Sequence, residues 1–175
     1  KRLKAYQSRI YSDAAEIIEK NNARVLLNMP TGTGKTRTCM EIVCNFLNEN
    51  PKLSIVWLAD KQELIDQACM EFHDTWEYLG SYSIPIQRWV KDSPHVIDKP
   101  QFICSTFGTL LSRGELLKKI KVGLVVIDEA HMAIAPKWKK KVETTAIQMS
   151  NSTRVVGLTA TPQRRVSKES EELVD

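Results

Sequence analysis

Two short stretches carry residue types that could do chemistry together. The first, Pro30-Thr31-Gly32-Thr33-Gly34-Lys35-Thr36, sets two glycines beside a lysine and a hydroxyl. Glycine at Gly32 and Gly34 lets the chain turn tightly enough for successive amides, those of Thr31 and Thr33 included, to face one polyphosphate. Lys35 is then placed to neutralise β- and γ-phosphates, and Thr36 to offer a hydroxyl to Mg2+. The general pattern G-x-x-x-x-G-K-[ST] opens with a glycine where this chain has Met29. The second stretch, Asp128-Glu129-Ala130-His131, follows the apolar run Val122–Ile127. Asp128 suits Mg2+, held mainly through water because that ion keeps several of its waters. Glu129 suits the orientation or deprotonation of a water that attacks the γ-phosphate. His131 is neither ligand nor nucleophile in this reading and links the site to neighbouring loops. A glycine turn or an acid pair alone is often just a solvated loop. Here each follows a buried strand, and the two occur together, which favours ATP and Mg2+.

The elements that must position them follow from the apolar pattern. Val25, Leu26 and Leu27, the run Ser54–Ala59 and the run Val122–Ile127 lack alternation, which predicts strands buried on both faces of a parallel sheet. Phe102, Ile103 and Cys104, and the stretch from Arg154 to Leu158, predict two more strands. Tyr6, Ile10, Ala14 and Ile18 repeat at helical spacing, as do Leu64, Ile65, Ala68, Cys69, Phe72 and Trp76. Trp138, Val142, Ala146 and Met149 form a third stripe, opened by Pro136. Strands alternating with helices predict an α/β fold, a doubly wound and mainly parallel sheet flanked by helices. In such a sheet ligands lie at the carboxyl ends of the strands, where both stretches fall. Residues 78–100 have no clear period and predict loop with one short strand.

Composition sets the outer limits. The chain has 175 residues, 42% apolar and 26% charged, which is ordinary for one globular domain. Residues 1–166 read as that domain and the polar residues 167–175 as a linker or tail. The net charge of +4 fits a nucleic-acid partner without requiring one. Cys39, Cys44, Cys69 and Cys104 form no CxxC pair, so they read as free thiols of a reducing, cytoplasmic setting rather than a zinc site. No apolar run approaches the length of about 18 residues that suggests a membrane span. Lys1 is not preceded by a methionine, which reads as a segment of a longer protein.

The two stretches together resemble those of superfamily 2 helicases and translocases of the Asp-Glu-Ala-His group. The likeness is nearest to the helicase domain of type I and type III restriction enzymes, and it covers nearly the whole chain. It implies a RecA-like ATP-binding domain, the first of a pair. Leu3-Lys4-Ala5-Tyr6-Gln7 is similar to the family's opening Leu-Arg-Pro-Tyr-Gln, with Lys4 and Ala5 departing from it. That implies that Gln7 reads the adenine edge, for which an amide has both donor and acceptor. Leu58-Ala59-Asp60-Lys61-Gln62-Glu63-Leu64 is similar to motif Ia, and Ser105-Thr106-Phe107-Gly108-Thr109-Leu110 to a later strand-contacting motif. These imply nucleic-acid contacts by Asp60, Lys61, Ser105 and Thr106. The same residues could simply cap helices, Asp60 with Glu63 as a capping-box partner. Gly157-Leu158-Thr159-Ala160-Thr161-Pro162 resembles motif III, which implies that Thr159 and Thr161 couple hydrolysis to nucleic-acid grip. The run Lys137, Lys139, Lys140, Lys141 reads as a solvated helix face. Arg164 and Arg165 follow motif III, but the family's arginine finger comes from the second domain.

The resemblance therefore implies an ATP hydrolase that unwinds or moves along DNA or RNA, with DNA preferred. Its implied partners are nucleic acid, a second RecA-like domain, and nuclease or specificity subunits. Lacking the second domain's arginine, residues 1–175 alone are expected to be nearly inactive. The alternative is a nucleotide-gated module or sensor that binds nucleic acid without unwinding it.

Overall fold

The computed structural model describes residues 3–90, 99–117, 119–130 and 152–160. Its strands are β1 (Arg24–Asn28), β2 (Ser54–Ala59), β3 (Ile86–Trp89), β4 (Phe102–Thr106), β5 (Val122–Ile127) and β6 (Arg154–Thr159). The helices are α1 (Ala5–Ile18), α2 (Lys35–Glu49), α3 (Gln62–Leu79), and the short α4 (Phe107–Ser112) and α5 (Gly114–Leu117). Among the described residues one six-stranded sheet runs β1-β6-β5-β2-β4-β3, and every pairing is parallel. The expected α/β sheet is therefore present, with β3 as the short strand predicted between 78 and 100.

Two apolar clusters, one on each face, hold the sheet in place. Ile55, Trp57, Ala59, Leu124 and Val126 belong to one, with α1, α2 and α3 over them. Val56, Leu58, Val125 and Ile127 belong to the other, with Phe107, Leu110 and Leu117. Successive strand residues point to opposite faces, so a strand covered on both sides must be apolar throughout. β2 and β5 are buried at all six positions each. β1 departs from that expectation. Leu27 is buried, but Leu26 is 38% exposed, because β1 lies at one end of the described sheet with β6 as its one neighbour there. An apolar run does not by itself say whether a strand is central.

α3 is fixed to the sheet by aromatic packing. Phe72 stacks on Phe102 of β4 with centroids 3.8 Å apart, and on Trp76 of its own helix at 5.6 Å. Burying a side chain of this size stabilises by about 1.5–3 kcal/mol. Asp60 does not cap α3 as expected. The N-cap is Lys61, in extended conformation and with no side-chain cap hydrogen bond, so Asp60 lies one residue too early. Thr106 does cap α4, accepting the Thr109 N–H at 3.3 Å. The stripe Trp138, Val142, Ala146, Met149 with Pro136, the lysines at 137 and 139–141, Arg164, Arg165 and the tail lie outside the described residues.

Candidate nucleotide site

The loop after β1 and the turn after β5 meet at the carboxyl ends of their strands, with β6 between them in the sheet. Gly32 and Gly34 have φ of 78° and 82°, the left-handed region that favours glycine. Gly34 is also the N-cap of α2, and its carbonyl accepts the Thr38 N–H at 2.9 Å to begin the helix. A Cβ on Gly34 would stand 2.4 Å from Gln7 Nε2, whereas one on Gly32 would meet nothing within 4 Å. The loop is thus packed from behind at Gly34 and open at Gly32. Met29, where the general pattern has glycine, is buried at 1% exposure. Its N–H donates to the Thr159 carbonyl at 3.0 Å, so this position continues the strand and needs no glycine.

Lys35 Nζ lies 2.9 Å from Glu129 Oε1 and 3.9 Å from Asp128 Oδ1. The three groups that the sequence placed on one phosphate and its metal are therefore in one place. The Lys35 and Asp128 side chains are 12% and 9% exposed, and Glu129 is 34% exposed. Burial pushes the Asp128 carboxyl above the usual carboxylate range; Lys35 and the Glu129 N–H pull it down, and the Glu129 charge pushes it up. That N–H reaches Asp128 Oδ1 at 3.0 Å. Glu129 itself has φ 51°, which costs a non-glycine residue about 1–2 kcal/mol. Strain of this kind collects at functional sites, where the surroundings hold it.

Gln7 is buried rather than an exposed helix-start residue. Its Oε1 accepts the Lys4 N–H at 2.8 Å, and its Nε2 donates to the Thr33 carbonyl at 3.0 Å. Nε2 also reaches the Gly34 carbonyl at 3.5 Å, so its two N–H groups already face two acceptors, and it is Oε1, with a second lone pair, that keeps capacity for a further partner. The Tyr6 hydroxyl donates to the same Thr33 carbonyl at 2.6 Å. Sequence reasoning gave Tyr6 no role beyond the helix stripe, since the hydroxyl's partner lies 27 residues away. The Thr33 hydroxyl donates to Pro30 O at 2.6 Å, and Thr31 is exposed.

These residues suit ATP with Mg2+. The loop offers backbone amides and open space at Gly32, α2 adds its positive N-terminal end, and the partly exposed Thr36 hydroxyl and the Asp128 carboxylate would supply hard oxygen donors. Thr159 ends β6 beside this site and is buried; Thr161 and His131 lie outside the described residues.

The predicted strand-contacting residues lie at the carboxyl ends of β2 and β4. Asp60 and Lys61 are exposed and Thr106 is partly so. Ser105 is fully buried, its hydroxyl within donating distance of the Thr106 carbonyl at 3.1 Å and the Trp89 carbonyl at 3.3 Å. Its side chain presents nothing to a ligand, and the surface falls to the other three.

The family model described as "Type III restriction enzyme, res subunit" matches residues 1–164. The chain belongs to this family. It is 27% identical over 167 residues to the type I restriction enzyme EcoAI endonuclease subunit of Escherichia coli, covering 90% of this chain and 19% of that protein. Among solved structures, the SWI2/SNF2 ATPase core of Sulfolobus solfataricus in complex with dsDNA matches with TM-score 0.75 and 18% identity, over 99% of this chain and 35% of that one. S. cerevisiae Dbp5 bound to RNA and ADP BeF3 matches with TM-score 0.76 and 22% identity, over 95% and 44%. The chain spans under a fifth of the length of the curated relatives it matches first. It is a superfamily 2 helicase-type ATPase domain with the RecA-like fold, near the restriction-enzyme helicases.

Proposed function

We propose that this domain binds ATP and Mg2+ and, joined to a second RecA-like domain, hydrolyses ATP to unwind or move along nucleic acid. The observation that carries the reading is the convergence of Lys35 on Glu129 and Asp128 at 2.9 and 3.9 Å. With no nucleotide, Lys35 neutralises the two acids. On binding, it exchanges them for the β- and γ-phosphates, and Glu129 is released to orient or deprotonate water. Thr36 and Asp128 hold the Mg2+ ion, which supplies charge neutralisation at the phosphates. Amides from Thr31 to Gly34 cradle the phosphates, and Gln7 reads the adenine edge. Thr159, with Thr161 and His131, ties this site to the nucleic-acid side. Lys61 supplies a cation for a backbone phosphate beside Thr106. Asp60, being acidic, contributes through backbone or base contacts rather than to a phosphate.

Membership of a restriction-enzyme family supports DNA over RNA, and nuclease or specificity subunits as partners. Residues 1–166 are read as the first domain and 167–175 as a linker or tail. The test uses the full-length protein. Lys35→Ala and Glu129→Gln should each lower nucleic-acid-stimulated ATPase by about 10²–10⁴-fold. Lys35→Ala should weaken nucleotide binding, whereas Glu129→Gln should keep it and trap ATP. Wild-type turnover in either variant removes that residue from its role. Strand- and triplex-displacement assays separate a motor from a module that only grips. Residues 1–175 alone should turn ATP over about 10³–10⁵-fold more slowly than the full protein, for want of the second domain's arginine.

A further inference from the structure

Arg37 stands in the first turn of α2, next to Thr36 and close to Lys35, yet its guanidinium meets α3. Nη1 donates to Thr75 Oγ1 at 3.2 Å and lies 3.6 Å from Glu71 Oε1. Nη2 donates to Glu41 Oε1 at 3.3 Å, one turn along α2. Thr75 is fully buried and passes its own hydrogen to the Glu71 carbonyl at 2.7 Å. The Arg37, Glu41 and Glu71 side chains are 26%, 18% and 33% exposed, so the cluster is partly shielded from water.

We propose that Arg37 is a positioning residue that couples the nucleotide loop to the Asp60–Lys61 loop through α3. The proposal rests on the preceding reading, in which these loops hold nucleotide and nucleic acid. Any shift of the first turn of α2 on nucleotide loading carries Arg37 with it. The planar guanidinium binds its partners in fixed geometry and transmits direction as well as distance. Glu71 and Thr75 lie midway along an 18-residue helix that Phe72 fastens to Phe102. Held at that stacked contact, α3 tilts about it as one element rather than sliding past the sheet, and its N-terminus, about 14 Å from Glu71 at 1.5 Å per residue, carries Lys61.

Apolar residues often hold a buried interface as well as an ion cluster or better, and Ile42, Phe46, Ile65 and Ala68 already bury α2 and α3 in one core. What the cluster adds is a defined register between the two helices.

The experiment uses the full-length protein with Arg37→Met, Arg37→Lys and Glu71→Gln. It measures thermal unfolding, basal ATPase, ATPase stimulated by double-stranded DNA, single-stranded DNA or RNA, and nucleic-acid affinity with and without a non-hydrolysable ATP analogue. Arg37→Met should keep basal turnover within about twofold, yet lose at least about fivefold of the stimulation ratio and of the analogue's effect on affinity, the lower end of ordinary coupling. Arg37→Lys, which keeps the charge without the fork, should fall between it and wild type. Glu71→Gln should add little in the Arg37→Met background. If Arg37→Met fails to fold, Glu71→Gln alone makes the same test with a smaller loss in the same direction. An unchanged stimulation ratio overturns the proposal. So does a loss of basal and stimulated rates in equal measure with a lower Tm, which marks a brace only. A wild-type protein that no nucleic acid stimulates overturns the motor reading, and this proposal with it.

Discussion

The carboxyl ends of β1 and β5 and those of β2 and β4 lie along the same edge of one sheet but are built differently. At the first pair the described polar groups already hold one another: Lys35 on Glu129, Glu129 N–H on Asp128, Gln7 and Tyr6 on Thr33. Three residues there sit at positive φ. At the second pair Asp60 and Lys61 face solvent, Lys61 makes no cap bond, and the Thr106 hydroxyl is engaged by Thr109. A pre-built polar pole suits a ligand of fixed shape, such as a triphosphate, because little ordering remains to be done on binding. An open one suits a polymer whose backbone repeats and whose sequence need not be read.

Gly34→Ala breaks the first pole through its backbone. The added methyl would meet Gln7 Nε2 at 2.4 Å and would sit on a backbone with φ 82°. The left-handed position alone costs about 1–2 kcal/mol of stability, so Tm should drop, and nucleotide affinity should fall as the loop shifts to relieve strain and clash. Adding Gln7→Ala removes the clash and leaves the φ strain, so it should restore part of the Tm. Calorimetry and titration with an ATP analogue decide it; wild-type affinity in Gly34→Ala would show that the loop is not held as described.

How far each pole was legible in the sequence follows the same division. The nucleotide loop could be read because its glycines are demanded by backbone geometry, and β2 and β5 because strands covered on both faces must be apolar. β1 carries an equally apolar run, and only sheet order reveals that Leu26 is part-exposed. The left-handed Glu129 left no trace, since glutamate does not signal positive φ. Arg37 left none either, because Thr75 lies 38 residues away and no local pattern records the pairing. Ser105 and Thr106 looked interchangeable, yet strand alternation buries one and brings the other to the helix cap. Cys39 and Cys104 are buried free thiols, and burial raises both above the usual thiol range.

Asp128→Asn sharpens the comparison through stability. Burial raises the Asp128 carboxyl's folded pKa above its unfolded value. Its contribution to stability is therefore full below the unfolded value and lost as pH rises through the folded one. Where the carboxyl is ionised, its burial is a cost to the nucleotide-free fold that Lys35 offsets in part. Asp128→Asn in chelator, without nucleotide, should therefore raise Tm. The gain should shrink as pH falls toward the carboxyl's titration, and ATPase should be lost. A lower Tm at neutral pH would mean that the Lys35 pairing outweighs desolvation.

The smallest effects belong to the open pole, and they should separate into affinity and stability. Lys61→Ala removes an exposed cation that makes no cap bond, so Tm should hold while nucleic-acid binding by the full-length protein weakens a few-fold. The loss should be uniform across sequences, and the slope of log affinity against log salt should fall by about 1. Thr106→Ala removes the α4 cap and should cost about 0.5–2 kcal/mol of stability. A Lys61→Ala protein with an unchanged salt slope would place the phosphate contact elsewhere. A Thr106→Ala protein of wild-type stability with weaker binding would show that the hydroxyl leaves its cap for the ligand, and the two poles would then differ less than their ligand-free hydrogen bonds suggest.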